Sequence, residues 1–85
     1  MTVAFLFINA DIGAEDKVVV ELRKIANVKE AYVTYGVYDI VVRIEAESLE
    51  KLKEIVTSKI RQLANVRSTL TTIVVDESSK GNREG

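Results

Sequence analysis

Leu22-Arg23-Lys24-Ile25-Ala26-Asn27-Val28-Lys29 and Ile60-Arg61-Gln62-Leu63-Ala64-Asn65-Val66-Arg67 carry one pattern written twice, 38 residues apart. The same offset aligns Val18 with Val56 and lays the segments before and after each copy over one another. A repeat of this kind marks a duplicated supersecondary unit.

Each copy reads as the end of a helix running into a strand. Upstream of the first, Glu15 and Asp16 suit a helix N-terminus, and Val18, Leu22 and Ile25 recur at helical spacing, which predicts a helix from about Ala14 to Ala26. Asn27 is a fitting left-handed cap, and Val28 to Tyr35 then alternates with strand-forming residues. Upstream of the second copy, Ser48 is a good N-cap, and Leu49, Leu52, Ile55, Val56, Ile60 and Leu63 form one wide apolar face. Glu50, Lys53, Glu54 and Arg61 fall on the opposite face, and Val66 to Asp76 returns to strand composition.

Two more strands complete the units. Val3 to Asn9 is apolar on both faces, as expected for a strand covered on both sides. Ile40, Val42 and Ile44 alternate with Val41, Arg43 and Glu45 after Gly36-Val37-Tyr38-Asp39, a short connection in which Gly36 tolerates positive φ. Two β-α-β units with right-handed crossovers give an α+β, ferredoxin-like βαββαβ sandwich, a four-stranded antiparallel sheet with two helices on one face. The expected organisation is one domain over residues 1–76. The segment Glu77 to Gly85 lacks apolar side chains and is expected to be a disordered tail.

Composition narrows the function. The chain has 85 residues, 12 Lys plus Arg against 13 Asp plus Glu, no Cys and no His. Disulfides, thiolate metal sites and histidine bases are therefore absent. Ser48, Ser58 and Ser68 have no histidine to activate them, and Glu47, Glu50 and Glu54 read as a solvated helix face among lysines. No catalytic residue, metal or cofactor is expected. Basic residues are interleaved with acidic ones at a pI near 5.4, so direct nucleic-acid binding is not expected. The opening apolar run has no basic stretch before it and is too short to span a bilayer, which makes the cytoplasm the default location and a membrane no partner. Because the first strand, Ile40-Val41-Val42 and Ile73-Val74-Val75 are apolar on both sides, the second sheet face is expected to be buried in a homodimer.

The remaining chemistry lies in Tyr35-Gly36-Val37-Tyr38-Asp39. Gly36 and a capping Asp39 satisfy a turn by themselves, with Tyr38 covering the sheet end. The same atoms suit a zwitterionic amino acid: Gly36 admits a ligand to backbone N–H groups, Asp39 offers a carboxylate to an ammonium, and Tyr38 offers a flat wall. Thr69 and Thr71, two apart on the last strand, read either as hydroxyl donors to its carboxylate or as ordinary strand threonines.

From Val3 to Val75 the sequence resembles the effector domain of the Lrp/AsnC feast/famine transcription regulators, the regulation of amino acid metabolism domain. The resemblance is carried by the opening strand, Val28-Lys29-Glu30-Ala31-Tyr32, Gly36-Val37-Tyr38-Asp39, Ser48-Leu49, and Val66-Arg67-Ser68-Thr69-Leu70-Thr71 leading to Ile73-Val74-Val75. It implies a βαββαβ fold, dimers formed through the sheets, higher oligomers, and an amino acid effector bound between dimers near the hairpin. Carried over, it nominates Gly36, Tyr38 and Asp39, with Thr69 and Thr71 after them. Such regulators carry a helix-turn-helix domain, whereas here Met1 abuts the first strand, so the expectation is a stand-alone module that co-assembles with full-length relatives and does not itself bind DNA. A structural oligomer that scaffolds partner proteins without a ligand is the alternative. An enzyme of the dimeric α+β barrel kind is a third reading, opposed by the missing histidine.

Overall fold

The structure is a computed structural model that describes residues 1–75. The element order is β1 Thr2–Ala10, α1 Glu15–Arg23, β2 Val28–Val33, β3 Ile40–Ala46, α2 Leu49–Ile55 with a π-helical turn Val56–Ile60, and β4 Val66–Ile73. The strands form one antiparallel sheet in the order β2-β3-β1-β4, which is the ferredoxin-like arrangement that the repeat implies. The tail expected for 77–85 lies outside the described residues.

Strict alternation divides the sheet into two faces. On the helix side, Ala4, Leu6 and Ile8 of β1 and Ile40, Val42 and Ile44 of β3 are fully buried. Val18, Val19 and Leu22 of α1 and Leu52, Ile55, Val56 and Ile60 of the second helix close the same core. Leu63, which was read onto that face, is partly buried against it. No polar or charged side chain is buried among the described residues.

Local chemistry explains the element ends. Ser48 Oγ accepts the Lys51 N–H at 3.1 Å, so the second helix starts where its N-cap predicts. Ser48→Ala is expected to lower unfolding free energy by about 1 kcal/mol, read as a fall in the urea midpoint with an unchanged slope. The first helix ends three residues before the predicted Ala26. Lys24 and Ile25 donate to Glu21 and Leu22 carbonyls at 3.2 and 3.0 Å, an i to i−3 tightening that closes its last turn. Arg61 N–H reaches Val56 O at 2.9 Å, the longer bond of the π turn.

Two backbone expectations need correction. Asn27 was read as a left-handed cap, yet among the described non-glycine residues only its repeat mate Asn65 has positive φ, at 73°. Both asparagines instead clamp a neighbouring segment. Asn27 O accepts Glu45 N–H at 3.0 Å and its Nδ2 donates to Glu45 O at 2.8 Å. Asn65 O accepts Asp11 N–H at 2.9 Å and its Nδ2 donates to Asp11 Oδ2 at 3.0 Å. Gly36 tolerates positive φ but does not use it; that conformation occurs at Gly13, at 82°. The strand before the hairpin also ends earlier than Tyr35, at Val33. Thr34 N–H donates to Asp39 O at 2.7 Å and Thr34 Oγ1 to Tyr38 O at 2.8 Å, so the connection is tied by Thr34.

Candidate ligand site at the hairpin end of the sheet

Asp39 sits where β3 begins, beside the end of β1. Its N–H donates to Ile8 O at 3.0 Å and its Oδ2 accepts the Ala10 N–H at 3.0 Å. At this point the β1–β4 register slips between Asn9 and Ala10. The carboxylate therefore supplies an acceptor at the end of β1, where the sheet becomes irregular, and not within the turn over residues 36–39 that the sequence suggests it caps. Its other oxygen, Oδ1, makes no hydrogen bond among the described residues.

Asp39 lines two clefts. One, of about 360 Å³, is lined by Asn9, Ala10, Ile12, Asp39, Arg67 and Ser68. The other, of about 590 Å³, is lined by Glu15, Val33, Thr34, Tyr35, Gly36 and Asp39. The first has Asp39 and Arg67 among its lining residues, with Asn9 Nδ2 held on Ser68 Oγ at 3.3 Å. Arg67 Nε lies 4.0 Å from Asp11 Oδ1 with both side chains more than half exposed, a weak pairing in water.

The sequence-nominated residues do not converge in one chain. Gly36 lines the second cleft with open space around its Cα. The Tyr38 ring packs against Phe7, centroids 5.8 Å apart, on the sheet face away from the helices. Thr69 and Thr71 pair with Ile8 and Leu6, so they lie on the helix side, lining a groove beside α2. Within one protomer, Asp39 and Gly36 share a cleft and the threonines stand apart from them. Arg67, Asn9, Ser68 and Ile12 were missed. Their signal emerges only once β1 and β4 are paired, because that pairing brings Asn9 to Ser68 at the end where Asp39 precedes β3.

The open face of the sheet is apolar along one complete row. Tyr32 pairs with Val41, Val41 with Phe7, and Phe7 with Leu70, one residue from each strand. Tyr32 and Leu70 are about half exposed. Among the described residues, no group of three or more Asp, Glu, His or Cys side chains is placed to hold a metal ion. No helix there is long and apolar enough to cross a membrane.

The fold is a ferredoxin-like two-layer sandwich with an apolar row on its open sheet face and a cleft lined by Asp39 and Arg67 at the hairpin end. Residues 3–83 match the family model described as Lrp/AsnC ligand binding domain, and the chain belongs to that family. An HTH-type transcriptional regulator of Pyrococcus furiosus is 33% identical over 75 residues, covering 85% of this chain and 50% of the regulator. The chain thus spans about half the length of the curated relatives it matches. A hypothetical protein of Pyrococcus horikoshii superposes with a TM-score of 0.85 at 35% identity, over 98% of this chain and 100% of that one. AsnC of Escherichia coli gives a TM-score of 0.85 at 26% identity, over 91% of this chain and 52% of AsnC. The family is one of transcription regulator domains and not of enzymes.

Proposed function

We propose that this chain binds a free amino acid at the hairpin end of its sheet and, as a cytoplasmic oligomer assembled through its open face, regulates amino acid metabolism together with DNA-binding relatives. The observation that carries the reading is the half-used carboxylate of Asp39. Oδ2 is held by the Ala10 N–H, which fixes the side chain, while Oδ1 accepts no hydrogen bond among the described residues, and Asp39 lines a cleft that Arg67 also lines. A fixed anion and a cation across so small a cleft match the two charges of an amino acid backbone: ammonium on Asp39, carboxylate on Arg67. Ile12, 95% exposed, supplies an apolar wall for the side chain of the ligand. Tyr38, Gly36, Thr69 and Thr71 enter this reading through assembly, since the cleft opens outward and a neighbouring protomer would complete it. The family description as a ligand-binding domain supports a bound effector.

Asp39→Asn tests it. The amide keeps an oxygen for the Ala10 N–H and loses the charge. Calorimetry with the amino acid that gives the largest thermal shift is expected to show affinity weakened by about 1.5 to 3 kcal/mol, the range for a hydrogen bond to a charged group. An unchanged affinity would remove Asp39 from the site. If no amino acid shifts the melting temperature, the apolar row Tyr32-Val41-Phe7-Leu70 favours the second reading, a scaffold that assembles without a ligand.

A further inference from the structure

The two edges of the sheet are treated differently. At the β2 edge, Arg23 Nη2 donates to Ala31 O at 2.8 Å, so a guanidinium already occupies an outward carbonyl. A charged side chain laid on an edge in this way blocks strand addition. At the opposite edge, Val74 N–H donates to Val3 O at 2.9 Å. Antiparallel alternation then turns the backbone groups of Thr72, Leu70 and Ser68 toward β1. It turns those of Thr69, Thr71 and Ile73 outward, and no hydrogen bond covers them among the described residues.

Beside this edge runs a groove of about 750 Å³. Leu52, Val56, Val66 and Ile73 give it an apolar floor. Its charged residues are Lys53, Arg61 and Arg67, with no acid among those lining it. Neither Lys53 nor Arg61 has an ion-pair partner among the described residues. Helix α2 stops short of covering β4, so the inner rows that begin with Ala31-Val42-Leu6 and Val33-Ile40-Ile8 end on Thr71 and Thr69 instead of on apolar side chains.

We propose that the outer edge of β4 and the groove beside it form a second binding site, which takes an extended acidic peptide as an added strand. Backbone groups of Thr69, Thr71 and Ile73 would pair with the peptide, giving affinity without sequence demand. Alternate peptide side chains would enter the groove, apolar ones over Val56 and Ile73, acidic ones toward Lys53 and Arg61. A basic peptide is excluded by the same three cations. The groove shares Arg67 and Ser68 with the cleft beside Asp39, whereas Lys53 and Arg61 line the groove and not that cleft.

The test uses the full chain and a short fluorescent peptide alternating glutamate and valine, with a lysine–valine peptide of equal length as its counterpart. Anisotropy is expected to show binding of the acidic peptide that weakens with added salt, and amide resonances of Thr69, Thr71 and Ile73 are expected to shift. The double variant Lys53→Glu, Arg61→Glu, which changes only exposed side chains, should bind at least tenfold more weakly while keeping its circular dichroism. N-methylation of alternate peptide residues, which removes donors and leaves charge, should abolish binding from one register and spare it in the other. Equal binding of the lysine–valine peptide, shifts confined to the hairpin, or no binding at all would overturn the proposal. So would Thr69, Thr71 and Ile73 amides that resist hydrogen exchange without peptide, because a second copy of the chain would then close that edge.

Discussion

Leu6→Ala is expected to lower the unfolding free energy by about 2 to 5 kcal/mol. Leu6 is fully buried at the middle of β1, a strand flanked on both sides by β3 and β4. Its row partner Val42 is also fully buried, and Leu22, Leu52 and Ile60 close the layer above from two helices. Truncation removes the transfer free energy of the lost carbons and leaves a cavity that this layer cannot readily fill, because each wall is fixed by its own ladder or helix. A domain of this length is expected to have only about 4 to 13 kcal/mol in total, so one core deletion consumes a large share. Urea unfolding followed by circular dichroism would read the change as a lower midpoint with an unchanged slope. A loss below about 1 kcal/mol, the size seen at many ordinary surface sites or caps, would show that β1 does not centre the core. Repeating the measurement with Val20→Ala, on the exposed side of α1, sets the baseline for a change away from that layer.

The core was legible because period and repeat point to the same answer at every level. Leu22 and Ile60 are equivalent in the repeat and both are fully buried. Strand alternation assigned Ile40, Val42 and Ile44 to one side, and all three are buried there. Backbone detail was less legible. Asn27 and Asn65 stand in the same Ala-Asn-Val triplet, yet only Asn65 adopts positive φ, and the segments they clamp differ: Asn27 grips Glu45 within β3, and Asn65 grips Asp11 just past β1. The shared triplet does not carry that distinction. The candidate cleft was half legible for a similar reason. Asp39 was found from the hairpin, but Arg67 and Asn9 reach it only through the β1–β4 pairing and the slip beside Ala10. Thr69 and Thr71 were correctly placed on one face, and the register shows that face to be the helix side, away from the Tyr38 ring.

Phe7→Asp is expected to convert the protein to a monomer. Phe7 lies on the sheet face opposite the helices, half-way along the row Tyr32-Val41-Phe7-Leu70, with the Tyr38 ring beside it. If two sheets meet through this face about a two-fold axis, each side chain is used twice, so one substitution removes two phenyl rings from the interface and brings two carboxylates into it. Each ring contributes about 1.5 to 3 kcal/mol of burial, and an unpaired buried carboxylate costs several kcal/mol more. A combined penalty of roughly 6 kcal/mol or more raises the dissociation constant by about four orders of magnitude, at 1.4 kcal/mol per decade. The fold itself should survive, because the helix-side neighbours Leu6 and Ile8 keep the core and the new carboxylate faces water in the monomer. Light scattering at several concentrations would read the mass, with circular dichroism confirming the secondary structure. Val20→Asp, on the exposed side of α1, should leave the mass unchanged. A Phe7→Asp protein of unaltered oligomeric mass would move the interface off this face, and a parent protein that is monomeric throughout would leave the row facing solvent and refute the sheet-on-sheet assembly.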